Sequence, residues 1–404
     1  MIHSFSCENF YSFANLTTID FIVNGNAPDN QGYFLAPSGI RLSKVEAVIG
    51  PNASGKTNLL KVLPFMKWLI ADSSNLDPTA PLPVKPYMFT SQKNKPIILS
   101  ATFEINSNIY TYSFVLNEKK IISEDLEVKN KTKQKVTSKK VFSRIWDNKT
   151  KQYNLDDKTF NLPTGFANSM RPNASIISVA VRLGHKGSLE FFDYWKKVNT
   201  NVIEAGWVGD RLLQNSSRQL IETLDFYSED KNKAIKKQAE NILSRFDLGL
   251  EAFKIEKKKK ENSFLIDVTV AHSFGGETKY LPMQYESSGT KQLFVLLKTI
   301  LLVLANGGIA VLDELDVNLH PEIVLSLYDL FIHPETNPKN AQLLFSAHSH
   351  LILNKLDKYQ IILTEKDKQG ISEAWHLDEV SGVRADENYY SKYIAGAYGA
   401  VPKL

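Results

Sequence analysis

Apolar and polar positions divide the chain into stretches of different period. "IHSFSCENF" from Ile2, "TTIDFIV" from Thr17 and "KVEAVIG" from Lys44 are short and rich in aromatic and β-branched residues. They predict strands. From Asn58 to Ala71 the apolar spacing becomes helical, and polar, proline-rich sequence from Asp72 to Pro86 ends it. "ILSATFEI" and "IYTYSFVL" alternate cleanly, and the Asn-Ser-Asn between them predicts a hairpin. Between Leu183 and Arg245 prolines vanish. Segments such as "SLEFFDYWKKV" and "KAIKKQAENILSRF" have a 3.6-residue period, which predicts a helical insert. "KIEKKKKENSFLIDVTV" then predicts a charged hairpin and strand. From Glu286 onward strands and helices alternate in the manner of an α/β domain. The most apolar run, "LFVLLKTILLVLA" (Leu293 to Ala305), is interrupted by Lys298 and is shorter than the ~20 residues of a membrane span. It predicts a buried core helix.

Composition narrows this picture only modestly. With 404 residues, 43% apolar and 23% charged, the chain is ordinary for a globular protein of one large or two interleaved domains. The net charge of +4 does not by itself imply a nucleic-acid partner. A single cysteine, Cys7, forms no intrachain disulfide; it fits a reducing cytoplasm and a buried strand position. The N-terminus lacks the cationic start and apolar run of a secretory signal, so a cytoplasmic location without membrane association is expected. Two lysine-rich clusters stand out, Lys129–Lys140 with six lysines in twelve residues, and Lys254–Lys260. They suit solvated hairpin tips or docking patches for something acidic.

Chemistry enters at "GPNASGKT", where Gly50, Gly55, Lys56 and Thr57 match the phosphate-binding pattern G-x-x-x-x-G-K-[ST] between a predicted strand and helix. Glycines let backbone N–H groups curl around phosphate oxygens. Lys56 reaches the β- and γ-phosphates, Thr57 supplies a hydroxyl ligand to Mg²⁺, and the helix start adds its positive dipole end. Asn52 in the loop and Asn58 after Thr57 join the candidate nucleotide contacts. "GIAVLDELD" supplies the second acidic strand end. There Asp313 is the candidate to hold Mg²⁺, and Glu314 to act as general base on the attacking water. "YESSGTKQLFVLL" places Ser288 and Gly289 at the start of an apolar helix, a second anion site. One chain with one phosphate loop does not need two γ-phosphate sites, so a head-to-tail dimer is the economical expectation. In "LLFSAHSH", His348 follows a predicted strand and is a candidate γ-phosphate contact.

Together, Walker A, "SSGTKQ", Walker B "VLDE", "LDVNLHP" and "FSAHS" resemble the ABC-type ATPase heads of the SMC, RecF and OLD kind. That resemblance implies an α/β P-loop NTPase of the ABC-ATPase type, using ATP and Mg²⁺. Lobe I would span residues 1–183 with Walker A and β-hairpins, a helical insert 184–250, and lobe II 251–404 with signature, Walker B and switch histidine. It implies that Asp316 lies in a D-loop at a dimer seam, that His348 is the switch histidine, and that Ser288 and Gly289 act in trans. Thr290 and Lys291 depart from the transporter signature, which argues against a transporter role. Gln92 is the candidate Q-loop glutamine. The segment "VRADENYYSKYIAGAYGAVPKL" also resembles stand-alone OLD-like ATPases, several from two-gene phage-defence systems of the PARIS type.

The stretch between Thr57 and Ser287 is spent on lobe strands and helices, leaving no long coiled-coil arm. With neither a Toprim-like segment after His348 nor an HNH-like pattern, the chain is expected to hydrolyse ATP without cutting nucleic acid. Two readings stay open. One is a homo-oligomeric defence ATPase that controls a separate Toprim-like nuclease effector and senses an acidic phage protein. The other is a RecF-like repair ATPase that clamps DNA.

Overall fold

The computed structural model describes residues 1–89, 93–131, 136–202, 215–247, 249–260 and 263–401. It opens with β1 (Ile2–Glu8), β2 (Thr17–Asp20), β3 (Tyr33–Leu35), β4 (Arg41–Ser43) and β5 (Val45–Ile49), then α1 (Lys56–Leu60) and α2 (Val62–Lys67). Five strands follow: β6 (Ile97–Ile105), β7 (Asn108–Leu116), β8 (Ile121–Lys131), β9 (Val136–Asp147) and β10 (Gln152–Asp156). Next come α3 (Ile176–Arg182), α4 (Lys186–Lys196), β11 (Val198–Thr200), α5 (Asn215–Ser228) and α6 (Lys233–Phe246). A second set of strands is β12 (Leu250–Lys260), β13 (Ser263–Phe274) and β14 (Glu277–Pro282). The chain continues through α7 (Ser288–Asn306), β15 (Ile309–Leu312), α8 (Pro321–Ile332), β16 (Gln342–Ser346), β17 (Ile361–Lys366), β18 (Ser372–His376) and α9 (Tyr389–Ile394).

Two large sheets organise these elements. One is a largely parallel sheet in the order β11-β15-β16-β5-β17-β18, with β18 antiparallel at its edge. Its central strands are buried along their whole length, as expected of a sheet covered on both faces. Side-chain alternation divides them between two cores. Val48, Val311, Leu344 and Ile362 point into the first. Val45, Ala47, Ala310, Leu312, Leu343 and Phe345 point into the second. The first core is closed by the other large sheet, β10-β9-β8-β7-β6-β1-β2, all antiparallel. The second is closed by the helices of the C-terminal half and by β12 and β13.

The expected strands and the β6–β7 hairpin form. Asn106 and Ser107 both take positive φ at the turn (50° and 68°), the geometry a tight hairpin twist favours. Cys7 is buried on β1, and burial pushes its thiol up to about 12. The helical run after the glycine loop differs from its expected form. It divides at Lys61 into α1 and α2 and finishes as a π-helical turn over Trp68–Asp72. Pro64 lies inside α2 and has no N–H to return to Leu60, which weakens a continuous helix there.

The segment expected as an all-helical insert contains a strand as well. β11 adds to the edge of the parallel sheet beside β15, and Phe191 and Trp195 of α4 belong to the first core. α5 and α6 instead send Leu224, Tyr227, Ala239 and Leu243 into the second core. α7 is the one helix among the described residues long and apolar enough to cross a membrane, with a mean hydropathy of 1.5. Its Leu293, Phe294, Leu297 and Ile300 are buried in that second core. The middle of the Lys129–Lys140 tip lies outside the described residues. At the other tip, Lys254 pairs with Glu256 (2.7 Å).

Candidate nucleotide site

The candidate site forms where β5, β15, β16 and β17 end together. Gly50–Gly55 leave β5 as a tight loop and Lys56 opens α1. Gly55 has φ 119°, a backbone state closed to most side chains. A Cβ there would also meet the Ser372 hydroxyl at 2.4 Å. The loop is braced from behind. Ser54 Oγ and Thr364 Oγ1 are 2.7 Å apart, and the Ser372 hydroxyl donates to the Ser54 carbonyl (2.6 Å). Asn58 Nδ2 donates to Ser12 Oγ (2.9 Å). Asn58 thus serves as an internal brace, whereas Asn52 is exposed and lines the cavity.

Lys56 is buried, and its ammonium donates to the carbonyls of Gly50 (2.7 Å) and Pro51 (2.9 Å). Burial lowers its pKa, while the charges of Asp313, Glu314 and Asp316 act to raise it. The ammonium therefore feels all three carboxylates of the acidic loop, although that loop lies more than 250 residues away in sequence.

The acidic loop is held by its neighbours. Ser346, fully buried at the end of β16, donates its hydroxyl to Asp313 Oδ1 (2.6 Å) and accepts from the Glu314 N–H (2.8 Å). Glu314 takes φ 51°, a strained backbone state for a residue with a side chain. Its Oε1 lies 3.3 Å from His348 Nε2. Asp316 accepts from the backbone N–H groups of His348 and Ser349. Within one chain, then, Asp316 anchors the loop that carries His348. Asn201 grips the Asp313 main chain, accepting from its N–H (2.7 Å) and donating to its carbonyl (2.9 Å).

A cavity of about 600 Å³ opens beside the loop, lined by Gly50–Ser54, His348, His350, Glu365, Lys366, Asp367, Tyr393 and Val401. It falls within the range of small-molecule sites. Its far wall is the C-terminal segment. The Ala400 N–H donates to Glu365 Oε2 (3.0 Å), Tyr393 O–H donates to the Ala400 carbonyl (2.7 Å), and the Tyr393 and His350 rings lie 4.8 Å apart. Burial, together with the charges of Lys56 and His348, lowers the pKa of His350.

Of the predicted site residues, Gly50, Asn52 and His348 line this cavity, while Gly55, Lys56, Thr57, Asn58, Ser288, Gly289, Asp313 and Glu314 do not. Ser288 and Gly289 open α7, where Ser287 is the N-cap, accepting from the Thr290 N–H (3.0 Å). A Cβ on Gly289 would come within 2.7 Å of the Asn318 carbonyl, so glycine lets the signature helix rest on the loop after Asp316. Gln92 lies outside the described residues. Sequence reasoning missed Asn201, the hydroxyl role of Ser346, the serine brace and the C-terminal wall. Of these only Ser346 carried a local signal, its position two residues before His348.

The hard oxygens of Thr57 and Asp313 and the buried Lys56 ammonium fit a magnesium-bound polyphosphate. The phosphate loop and the acidic strand end beside it define a nucleotide-binding domain of the P-loop class. The family described as "AAA domain, putative AbiEii toxin, Type IV TA system" matches residues 47–354, and the chain belongs to it. Among solved structures, three SMC heads are matched over most of their length. One bound to the C-winged helix domain of ScpA has 14% identity and TM-score 0.49, covering 93% of this chain and 97% of that one. The SMC head from Thermotoga maritima has 14% identity and TM-score 0.40, covering 93% and 98%. An SMC head with an extended coiled coil, bound to the C-terminal domain of ScpA and derived from Pyrococcus furiosus, has 15% identity and TM-score 0.43, covering 93% and 96%. No curated protein matches the chain.

Proposed function

We propose that the chain hydrolyses ATP at a site shared between two copies, and that it works as the nucleotide-operated subunit of a defence module. The observation that carries the first half is the convergence of Lys56, Asp313, Glu314 and His348 at neighbouring strand ends. In this reading the loop N–H groups and Lys56 hold the phosphates, and Thr57 and Asp313 hold Mg²⁺. The ion would neutralise charge on the phosphate oxygens. Glu314, turned outward by its backbone and 3.3 Å from His348, takes the proton of the attacking water. Ser288 and Gly289, at the start of α7, cap the nucleotide of the partner copy.

The second half is supported by the family description, which names a putative AbiEii toxin of a type IV TA system. It is the finer of the two readings. The ATPase forms a closed homo-oligomer that holds a separate Toprim-like nuclease subunit silent, as in PARIS-type systems, and its lysine-rich tips meet an acidic phage trigger. A RecF-like DNA clamp is the competing reading, favoured by the same lysines of β12 and the β8–β9 hairpin.

Mixing Lys56→Ala protein with Ser288→Arg protein tests the shared site, because each heterodimer regains one intact composite site. Recovered hydrolysis supports it, and simple dilution of activity contradicts it. Purification from the native operon tests the module. A co-purifying nuclease supports defence, whereas isolation with bound duplex DNA and no second subunit favours the clamp.

A further inference from the structure

Asn201 lies just past β11, the short edge strand whose Thr200 is paired with Val311 of β15. The ladder ends there, two residues before Asp313. Beyond it, the Asn201 side-chain amide takes the place of a strand peptide. Its Oδ1 accepts from the Asp313 N–H at 2.7 Å, and its Nδ2 donates to the Asp313 carbonyl at 2.9 Å. A donor and an acceptor on one rigid amide fix the main chain on both sides of the residue they hold, here the peptide groups before and after the Asp313 Cα. The Asp313 carboxylate is held separately, by Ser346 from the neighbouring strand β16. The main chain of Asn201 is itself tied to α5, since Gln219 Nε2 donates to its carbonyl (3.4 Å).

We infer that Asn201 is a positioning residue for the metal end of the site, setting the main chain on both sides of the Cα from which the Asp313 carboxylate projects and linking it to α5. This rests on the ATPase reading above. A residue that only filled space at a sheet edge would need neither bond to Asp313. It would also have no reason to match both main-chain polar groups of the one residue that bears the candidate metal-binding acid. Partners that orient a metal ligand typically govern affinity for the ion.

The experiment is a Mn²⁺ titration, followed by electron paramagnetic resonance, of the full chain saturated with a non-hydrolysable ATP analogue. Nucleotide affinity in EDTA and the melting temperature of the nucleotide-free protein are measured alongside. For Asn201→Ala, Mn²⁺ affinity is expected to fall about tenfold, with metal-free nucleotide affinity unchanged. Asn201→Asp has the same size and guards against a folding defect. It keeps the acceptor for the Asp313 N–H but sets an oxygen against the Asp313 carbonyl, so its Mn²⁺ affinity is expected to fall less, in the same direction. Wild-type Mn²⁺ affinity in both variants would overturn the inference. So would a loss matched by equal loss of metal-free nucleotide binding, which marks a purely structural role. If the wild-type protein bound the analogue but no Mn²⁺, the ATPase reading would fall, and this inference with it.

Discussion

The two large sheets share one apolar core but differ in what their strands do. The antiparallel sheet is two-faced. Ile97, Leu99, Ala101 and Phe103 of β6 face the core, and the alternate positions are half exposed. One strongly polar interior feature is structural. Arg144 lies 2.7 Å from Glu124 with both side chains buried, and Arg144 also donates to the carbonyls of Arg171 and Ala174. The parallel sheet is buried on both faces, and β5, β15, β16 and β17 deliver the polar groups of the candidate site to one place at their ends. The buried ion pair of the antiparallel half is thus separated from the candidate chemistry at the rim of the parallel half.

The largest effect should come from breaking the antiparallel half. Arg144→Ala leaves the Glu124 carboxyl buried without its partner and should cost about 3–5 kcal/mol of stability. Urea unfolding measures this, while ATP turnover of the folded protein at low temperature should be unchanged. A loss of turnover with stability intact would dissolve the separation.

A second test lies beneath the loop. Glu46 is fully buried on β5, with His376 Nε2 3.6 Å from its carboxyl. Burial raises the pKa of Glu46 well above its usual 4.5 and lowers that of His376 to about 4. Burial therefore favours the neutral form of both groups. As pH rises above 4.5 the unfolded chain releases the Glu46 proton and the native chain retains it, so this group's contribution to stability declines. Gln at position 46 has no proton to lose. The stability of Glu46→Gln relative to wild type should accordingly grow with pH, as unfolding curves in mildly acidic and mildly basic buffer would register. A constant difference across pH would show that Glu46 is ionised in the native state.

A smaller effect in free energy, but confined to the chemical rim, is expected of Ser346→Ala. It removes one hydroxyl that serves both acids of the β15 loop. The expected loss is about tenfold in kcat, close to 1.4 kcal/mol, with little change in melting temperature. Steady-state kinetics beside a thermal melt would show it, and an unchanged kcat would mean that the acids hold their places without Ser346.

Much of this arrangement is written locally. The glycine loop, the Asp313–Glu314 pair and His348 each occupy one contiguous motif, because each must combine a strand end with a specific turn. The burial of α7 was equally legible from its apolar run, interrupted only at Lys298 and Thr299. What the sequence concealed depends on distant contacts. Asn201 sits in "VNTNVIEAG", which has no motif, and its role exists only because a three-residue strand, β11, lies beside β15. The same strand blurs the boundary of the expected helical insert. Three residues are too few for a period to register. The division of α1 from α2 was available at Pro64 but was masked by helical spacing on both sides.

The central claim is that Glu314, at the end of β15, activates water for ATP hydrolysis. A single-turnover measurement of phosphate release from radiolabelled ATP, wild type against Glu314→Gln, tests it most directly. The account predicts release by the wild type. It predicts that the variant still binds ATP but retains it uncleaved, with the rate lowered on the order of 10²–10⁴. Phosphate release by Glu314→Gln at the wild-type rate would contradict it.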